Sequence, residues 1–204
     1  MKSMLKDAAI LFLITLFAGL ALGGVYQLTK EPIAVQEELK RTRAMQEVFE
    51  DAVQFEEPGG FDAVAVQAVL DQGGHTGSSI DGISSALNGE GNRLGYVITV
   101  TNHEGYGGDI RFAMGVRLDG TLNGISLLAI TETAGLGMQA GEVLVPQFAG
   151  RKADSFVYTK GGASADNEVD AISSATVTTN AVTNGVNAGL YYFQTELKEG
   201  NGDE

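Results

Sequence analysis

Ile110-Arg111-Phe112-Ala113-Met114-Gly115-Val116-Arg117-Leu118-Asp119-Gly120 decides how this chain folds. Large apolar residues hold every second position from Ile110 to Leu118, the period at which side chains recur on one face of a β-strand. Asp119-Gly120 is a pair favoured in tight hairpin turns, and Thr121 to Ile130 reads as the returning strand. Upstream, Leu94, Tyr96, Ile98 and Val100 alternate in the same way, with Val97 the exception. Leu94–Ile130 is therefore expected to form a three-stranded antiparallel meander. Its first connection, His103-Glu104-Gly105-Tyr106-Gly107-Gly108-Asp109, is rich in glycine.

Beyond the meander, Val143–Phe148 reads as a short helix or turn and Phe156-Val157-Tyr158 as an edge strand. Gly161–Asn167 reads as loop, and Val169–Ile172 as a short strand or extended lead-in. From Ser173 onward the period changes: Val182, Val186, Leu190 and Phe193 fall on one helical face. Ser173 and Ser174 are suitable N-cap types for that helix, and Gly185 and Gly189 within it either weaken the helical reading or mark close packing. Before the meander, Lys30 to Phe55 reads as a helix with a stripe of Met45, Val48, Phe49, Ala52 and Val53, ended by Pro58-Gly59-Gly60. Phe61 to Leu70 is apolar and of open type. Asp71 to Gly95 reads as loop, with a short helix around Ile80–Leu87 and an exposed His75. One short echo occurs there: Asp81-Gly82-Ile83-Ser84-Ser85-Ala86 resembles Asp170–Ala175, with Leu87 where Thr176 would stand.

The first residues are of another kind. Ala8 to Tyr26 runs 19 residues without a charge; at 1.5 Å per residue this spans roughly 28 Å, close to the hydrocarbon thickness of a bilayer. The stretch is longer than a signal-peptide core and no A-x-A site closes it, so an uncleaved anchor is favoured over a cleaved signal. Lys2 and Lys6 precede it and place the N-terminus in the cytoplasm, with the remainder of the chain on the periplasmic or extracellular side. The expected organisation is a cytoplasmic tip and anchor over 1–29, a helical connector over 30–60, an extracytoplasmic domain over 61–198 and an acidic tail over 199–204. The fold class is α+β: an N-terminal transmembrane helix followed by a mixed or antiparallel sheet flanked by helices.

Composition narrows the chemistry. The 204 residues carry a formal net charge of −13, which repels another polyanion and argues against nucleic acid as partner. Cysteine is absent and histidine occurs twice, so thiolate nucleophiles, cysteine-ligated iron–sulfur clusters and histidine-rich metal sites are excluded or disfavoured. No metal is expected. No G-x-S-x-G elbow, Rossmann fingerprint or phosphate-binding G-x-x-x-x-G-K loop is present. Redox chemistry would have to use an organic cofactor or a partner's centre.

Three stretches remain: Gly105-Tyr106-Gly107-Gly108-Asp109-Ile110, Glu132-Thr133-Ala134-Gly135-Leu136-Gly137 and Asp170-Ala171-Ile172-Ser173-Ser174-Ala175-Thr176-Val177-Thr178. The last is hydroxyl-rich at a helix start, where free N–H groups and the helix dipole suit a phosphate. In order and spacing, the three resemble the FMN-binding domain family typified by the G subunit of the Rnf electron-transport complex and its relative, the C subunit of the sodium-translocating NADH:quinone oxidoreductase. The last stretch is similar to the family's flavinylation motif D-x-x-[ST]-[GS]-A-T-x-[ST]. The family usually has Gly where Ser174 stands and Pro where Ala134 stands.

The resemblance implies FMN held covalently through its phosphate on Thr176. A flavin transferase that uses FAD and magnesium would install it. Ser174 and Ala175 would leave room for the phosphate, and Val177 and Thr178 would supply N–H groups to it. Glu132, Thr133, Leu136 and Gly137 would line the flavin ring, Tyr106 and Asp109 would support the pocket, and Asp170 and Ser173 would belong to the motif read by the transferase. The function implied is an electron relay within a ferredoxin:NAD oxidoreductase coupled to ion translocation, a redox component and not a stand-alone catalyst, with the complex's other membrane subunits as partners. The C subunit of the quinone reductase, a stand-alone extracytoplasmic flavin carrier, and a cofactor-free membrane-anchored binding protein are the alternatives.

Overall fold

The computed structural model describes residues 2–198; the expected acidic tail lies outside them. Residues 1–40 and 41–204 form two units, and each is taken by itself. The first belongs to α1 (Lys2–Val48). Its most apolar window has a mean hydropathy of 2.4 with none of it buried against protein, as a segment solvated by lipid would have.

In the second unit, α1 ends at Val48, seven residues before the expected Phe55. The turn that follows is wrapped by the Gln46 amide, which donates to the carbonyls of Phe49, Glu50 and Ala52. Val53 then donates its N–H to the Leu87 carbonyl, and the chain runs into β1 (Gln54–Glu56). Met45, Val48, Phe49 and Ala52 are buried, but Val53 is exposed. The helical period runs past the helix because the turn after it is buried on the same surface. The Phe61–Leu70 segment becomes α2 (Ala63–Gln72), with the Asp62 carboxylate accepting the N–H groups of Val64 and Ala65.

The expected loop over 71–95 is corrected: its middle, where a short helix was expected around Ile80–Leu87, is a strand, β2 (Ser78–Leu87). A register shift between Ile80 and Gly82 puts Asp81 at a bulge, so Ile80 and Ile83, three apart, both enter one core. His75 is half-buried, its ring 5.2 Å from that of Tyr191, and desolvation pushes its pKa down.

The meander forms as expected: β3 (Arg93–Asn102), β4 (Ile110–Arg117) and β5 (Leu122–Ala129). The Gly120 N–H donates to the Arg117 carbonyl at the hairpin. Among the described residues, β1 to β5 form one antiparallel sheet in sequence order. After β5 come α3 (Ala140–Val143) and a 3-10 turn, Val145–Phe148. β6 (Val157–Thr159) and β7 (Glu168–Asp170) then pair in parallel as a separate small sheet. The final helix is α4 (Thr176–Tyr192), continued by a π-helical turn over Phe193–Leu197.

Both faces of the large sheet are covered. Ile98, Val100, Phe112 and Met114 face Val182, Val186 and Leu190 of α4 and Leu70 of α2. Val97 and Ala113 point the other way, onto Met45, Val48 and Phe49, which is why Val97 breaks the alternation. α4 approaches the sheet closely. A Cβ at Gly185 would stand 2.9 Å from the Phe112 ring, and one at Gly189 would collide with the Met114 sulfur.

Candidate functional site

The connection between β3 and β4, the segment after β5 and the start of α4 meet at one end of the sheet. They enclose an open cleft of about 510 Å³ lined by Tyr106, Glu132, Thr133, Leu136, Gly137, Ser174, Ala175, Thr176, Val177 and Thr178. Sites for small molecules span roughly 300–1,000 Å³. Every lining residue was expected at the site from sequence. Asp109 was also expected there and is not among them: its carboxylate pairs with His103 Nδ1 at 3.0 Å, and His103 Nε2 reaches the Ser79 hydroxyl. Asp109 therefore shapes the outside of its turn.

Glu132 joins two walls. Its Oε1 accepts the Gly107 N–H at 3.3 Å, tying the segment after β5 to the 103–109 connection. Gly137 lies so close to the third wall that a Cβ on it would stand 2.5 Å from Thr178 Oγ1 and 2.7 Å from Glu132 Cβ. Leu136, Val177 and Tyr106 are exposed apolar side chains at the cleft.

The third wall is a turn followed by a helix. The Ala175 N–H donates to the Ile172 carbonyl at 3.1 Å, closing a four-residue turn with Ser173 and Ser174 at its exposed tip. The N-cap of α4 is Ala175, with no side-chain cap, so neither serine caps as the sequence suggested. The first i→i−4 bond runs from the Thr179 N–H to the Ala175 carbonyl. The N–H groups of Thr176, Val177 and Thr178 precede it and have no partner within the helix. Thr176 is half-buried, Val177 exposed and Thr178 buried.

Ser174 has φ +61°, the only positive value at a non-glycine among the described residues. That conformation costs an L-residue roughly 1–2 kcal/mol, partly offset by the roughly 0.5–1 kcal/mol of chain entropy that glycine would lose. Ser174→Gly is thus expected to raise stability by about 0.5–1 kcal/mol, read as a higher thermal midpoint. A lower midpoint would show that the serine side chain offsets its own strain.

Asp170 and Ser173 stand outside the cleft lining. The Asp170 carboxylate accepts the Ala163 N–H at 2.6 Å. Its peptide is gripped by Gln147, whose Oε1 accepts the Asp170 N–H and whose Nε2 donates to the Asp170 carbonyl. Gln147 went unnoticed in the sequence, where nothing distinguishes it from a solvated polar residue. Among the described residues no group of three His, Cys, Asp or Glu side chains is placed to hold a metal ion.

An open cleft with three free N–H donors, hydroxyls, one carboxylate and apolar edges fits a ligand that has both a phosphate and a planar ring. Comparison with known proteins agrees. Residues 105–191 match the family described as FMN-binding domain, and residues 1–48 the RnfG N-terminal region. The G subunit of the Na(+)-translocating ferredoxin:NAD(+) oxidoreductase complex of Acetobacterium woodii is 31% identical over 195 residues, 95% of this chain and 93% of the relative. The chain belongs to the RnfG family. A second relative, the G subunit of the proton-translocating ferredoxin:NAD(+) oxidoreductase complex of Clostridium ljungdahlii, is 28% identical over 89% of this chain and 90% of its own length. Among solved structures, the C subunit of the Na(+)-translocating NADH-quinone reductase from Parabacteroides distasonis aligns with a TM-score of 0.48 at 19% identity, over 72% of this chain and 77% of that one. The two family matches leave residues 49–104, which include β1 to β3, between them. The RnfG N-terminal region takes in α1, and the FMN-binding domain match runs from the Gly105 turn to Tyr191 in α4.

Proposed function

We propose that this chain is the flavin-carrying subunit of an Rnf-type, ion-translocating ferredoxin:NAD oxidoreductase, with FMN joined through its phosphate to the Thr176 hydroxyl. One observation carries the reading: three segments distant in sequence, each resembling a motif of the family, line a single cleft. The bound flavin would supply electron transfer in one- or two-electron steps, linking carriers of either kind.

The chain's own residues would hold and orient it. Thr176 Oγ1 carries the phosphoryl group. The N–H groups of Val177 and Thr178, at the positive end of the α4 dipole, bind its oxygens. Leu136 presents an apolar surface to the ring, and Thr133 and Glu132 present polar ones. An unactivated threonine is a weak nucleophile, so a flavin transferase with FAD and magnesium supplies the activation. Co-expression with such a transferase tests the reading: the denatured wild-type band should fluoresce as flavin, and a dark band would refute covalent attachment.

The apolar part of α1 would cross the membrane, with Lys2 and Lys6 on the cytoplasmic side and the flavin domain outside. The other membrane subunits of the complex would be its partners. The sequence contains no cysteine, so a single introduced thiol reports sidedness without background. Val64, 80% exposed on α2, is a suitable position. Val64→Cys should react with a membrane-impermeant maleimide from the outer face of intact cells or spheroplasts, and labelling only after lysis would reverse the orientation.

A further inference from the structure

We infer that Thr179 is the positioning residue that holds Thr176 as flavin acceptor while leaving the start of α4 open to phosphate; the inference rests on the acceptor role proposed for Thr176. A helix start is ordinarily secured by an N-cap side chain that takes the N–H at the second or third helical position. Here those positions are Val177 and Thr178, the donors a phosphate would use. The N-cap is Ala175, which has no side-chain oxygen, and the start has no side-chain cap.

Thr179 secures it from the other side. Its hydroxyl accepts the Ile172 N–H at 3.1 Å and donates to the Ala175 carbonyl at 2.9 Å. Its own N–H donates to the same carbonyl at 3.0 Å. Ala175 in turn donates to the Ile172 carbonyl. One side chain with no solvent exposure thus ties both ends of the Ile172–Ala175 turn to the first turn of α4. The left-handed Ser174 lies within that closed turn, and Thr176 follows it directly. Without the hydroxyl, the buried Ile172 N–H loses its partner, and the turn that sets the direction of Thr176 loses its tie to the helix. The bonds run between the turn and Thr179, so the N–H groups of 176–178 stay free. The start of α4 is rigid without being capped.

In the attachment step, Thr176 Oγ1 forms a bond to the FMN-side phosphorus of FAD. The bond from that phosphorus to the bridging pyrophosphate oxygen breaks, AMP leaves, and the threonine proton passes to a base on the transferase. No electrons are exchanged. Thr179 acts on this step only through the placement of Thr176.

The test uses the full-length chain in detergent with a flavin transferase, FAD and magnesium. Thr179→Val removes the hydroxyl at nearly constant volume, and Thr179→Ser retains it. The valine variant should be labelled at Thr176 with kcat at least tenfold lower and KM for the acceptor chain unchanged. The serine variant should return to within about threefold of wild type. In the wild type, amide hydrogen exchange should find the Ile172 N–H protected. A valine variant labelled at the wild-type rate overturns the inference, as does an Ile172 N–H that exchanges as fast as that of exposed Ser173. If the valine variant does not fold, the exchange measurement decides. A wild type that takes no label removes the acceptor reading and Thr179's role with it, whereas a labelled wild type beside an equally fast valine variant removes Thr179's role alone.

Discussion

Thr176→Ala should yield a folded protein without covalent flavin. Co-expressed with a flavin transferase and run on a denaturing gel, the wild-type band fluoresces and the variant band is dark, a loss of essentially all label. The fold should survive because Thr176 is the first residue of α4 and half-buried, and because alanine is the better helix former. Away from buried networks such a change stays within about 0.5 kcal/mol, so circular dichroism and the thermal midpoint should match wild type. Neighbouring hydroxyls should not substitute. Ser173 and Ser174 are exposed at the turn tip, and fragment-ion mass spectrometry of the labelled wild type should place the flavin on Thr176 and on neither serine. Label persisting in Thr176→Ala would transfer the acceptor role to another hydroxyl.

Gly107→Ala should damage the site from the opposite wall. A Cβ at position 107 would collide with the Thr131 carbonyl oxygen and stand 3.0 Å from the Thr131 carbonyl carbon and 3.3 Å from Glu132 Cα. All three are backbone atoms, so no rotamer change relieves the clash; the 103–109 connection and the segment after β5 must separate. The Gly107 N–H then draws away from Glu132 Oε1, and the cleft loses the tie between two of its walls. Overpacking of this kind costs about 1–3 kcal/mol. At roughly 2–4 °C per kcal/mol for a domain of this size, the thermal midpoint should fall by several degrees, with flavin incorporation reduced at least several-fold. Gly59→Ala, where a Cβ meets nothing within 4 Å, is the matched control and should change neither. An unshifted midpoint in Gly107→Ala would mean that the two walls are not in contact in solution.

The parts of the fold legible in the sequence are those where one face decides the pattern. Ile110 to Val116 sits under α4 on one side, so its alternation is clean, and the face built from Val182, Val186 and Leu190 of α4 with Phe193 of the turn after it is buried as its period indicates. β2 was illegible for two physical reasons. The bulge at Asp81 changes the phase between Ile80 and Ile83, and the buried positions after it, Ser84, Ser85 and Ala86, are small because the sheet is covered on both sides. The end of α1 was misplaced because Phe49 and Ala52 continue the helical stripe from a turn. At the cleft, the lining residues could be named from family-like motifs, whereas Asp109 could not be told apart from them: only the structure reveals that its carboxylate is taken by His103. Ser173 and Ser174 look like caps by residue type, yet the N-cap lies one residue beyond them, at Ala175, and the helix begins at Thr176. Gln147 and Thr179 act through bonds to residues 23 and 7 positions away, a range at which residue type says nothing about partners.

The order of elements along the chain has a consequence for biogenesis. α4 comes after every strand of the large sheet and lies against β3 and β4 through Val182, Val186 and Leu190. During synthesis Thr176, the residue proposed as acceptor, therefore emerges after the sheet, and its helix can be seated only once the residues up to Phe193 have left the ribosome and reached the formed sheet. On the function proposed above, loading with flavin would be a late, post-translational event that a half-made chain could not undergo. The flavin-to-protein ratio of a preparation would then count molecules that completed folding, and a low ratio would point to incomplete folding before a defect of the cofactor supply.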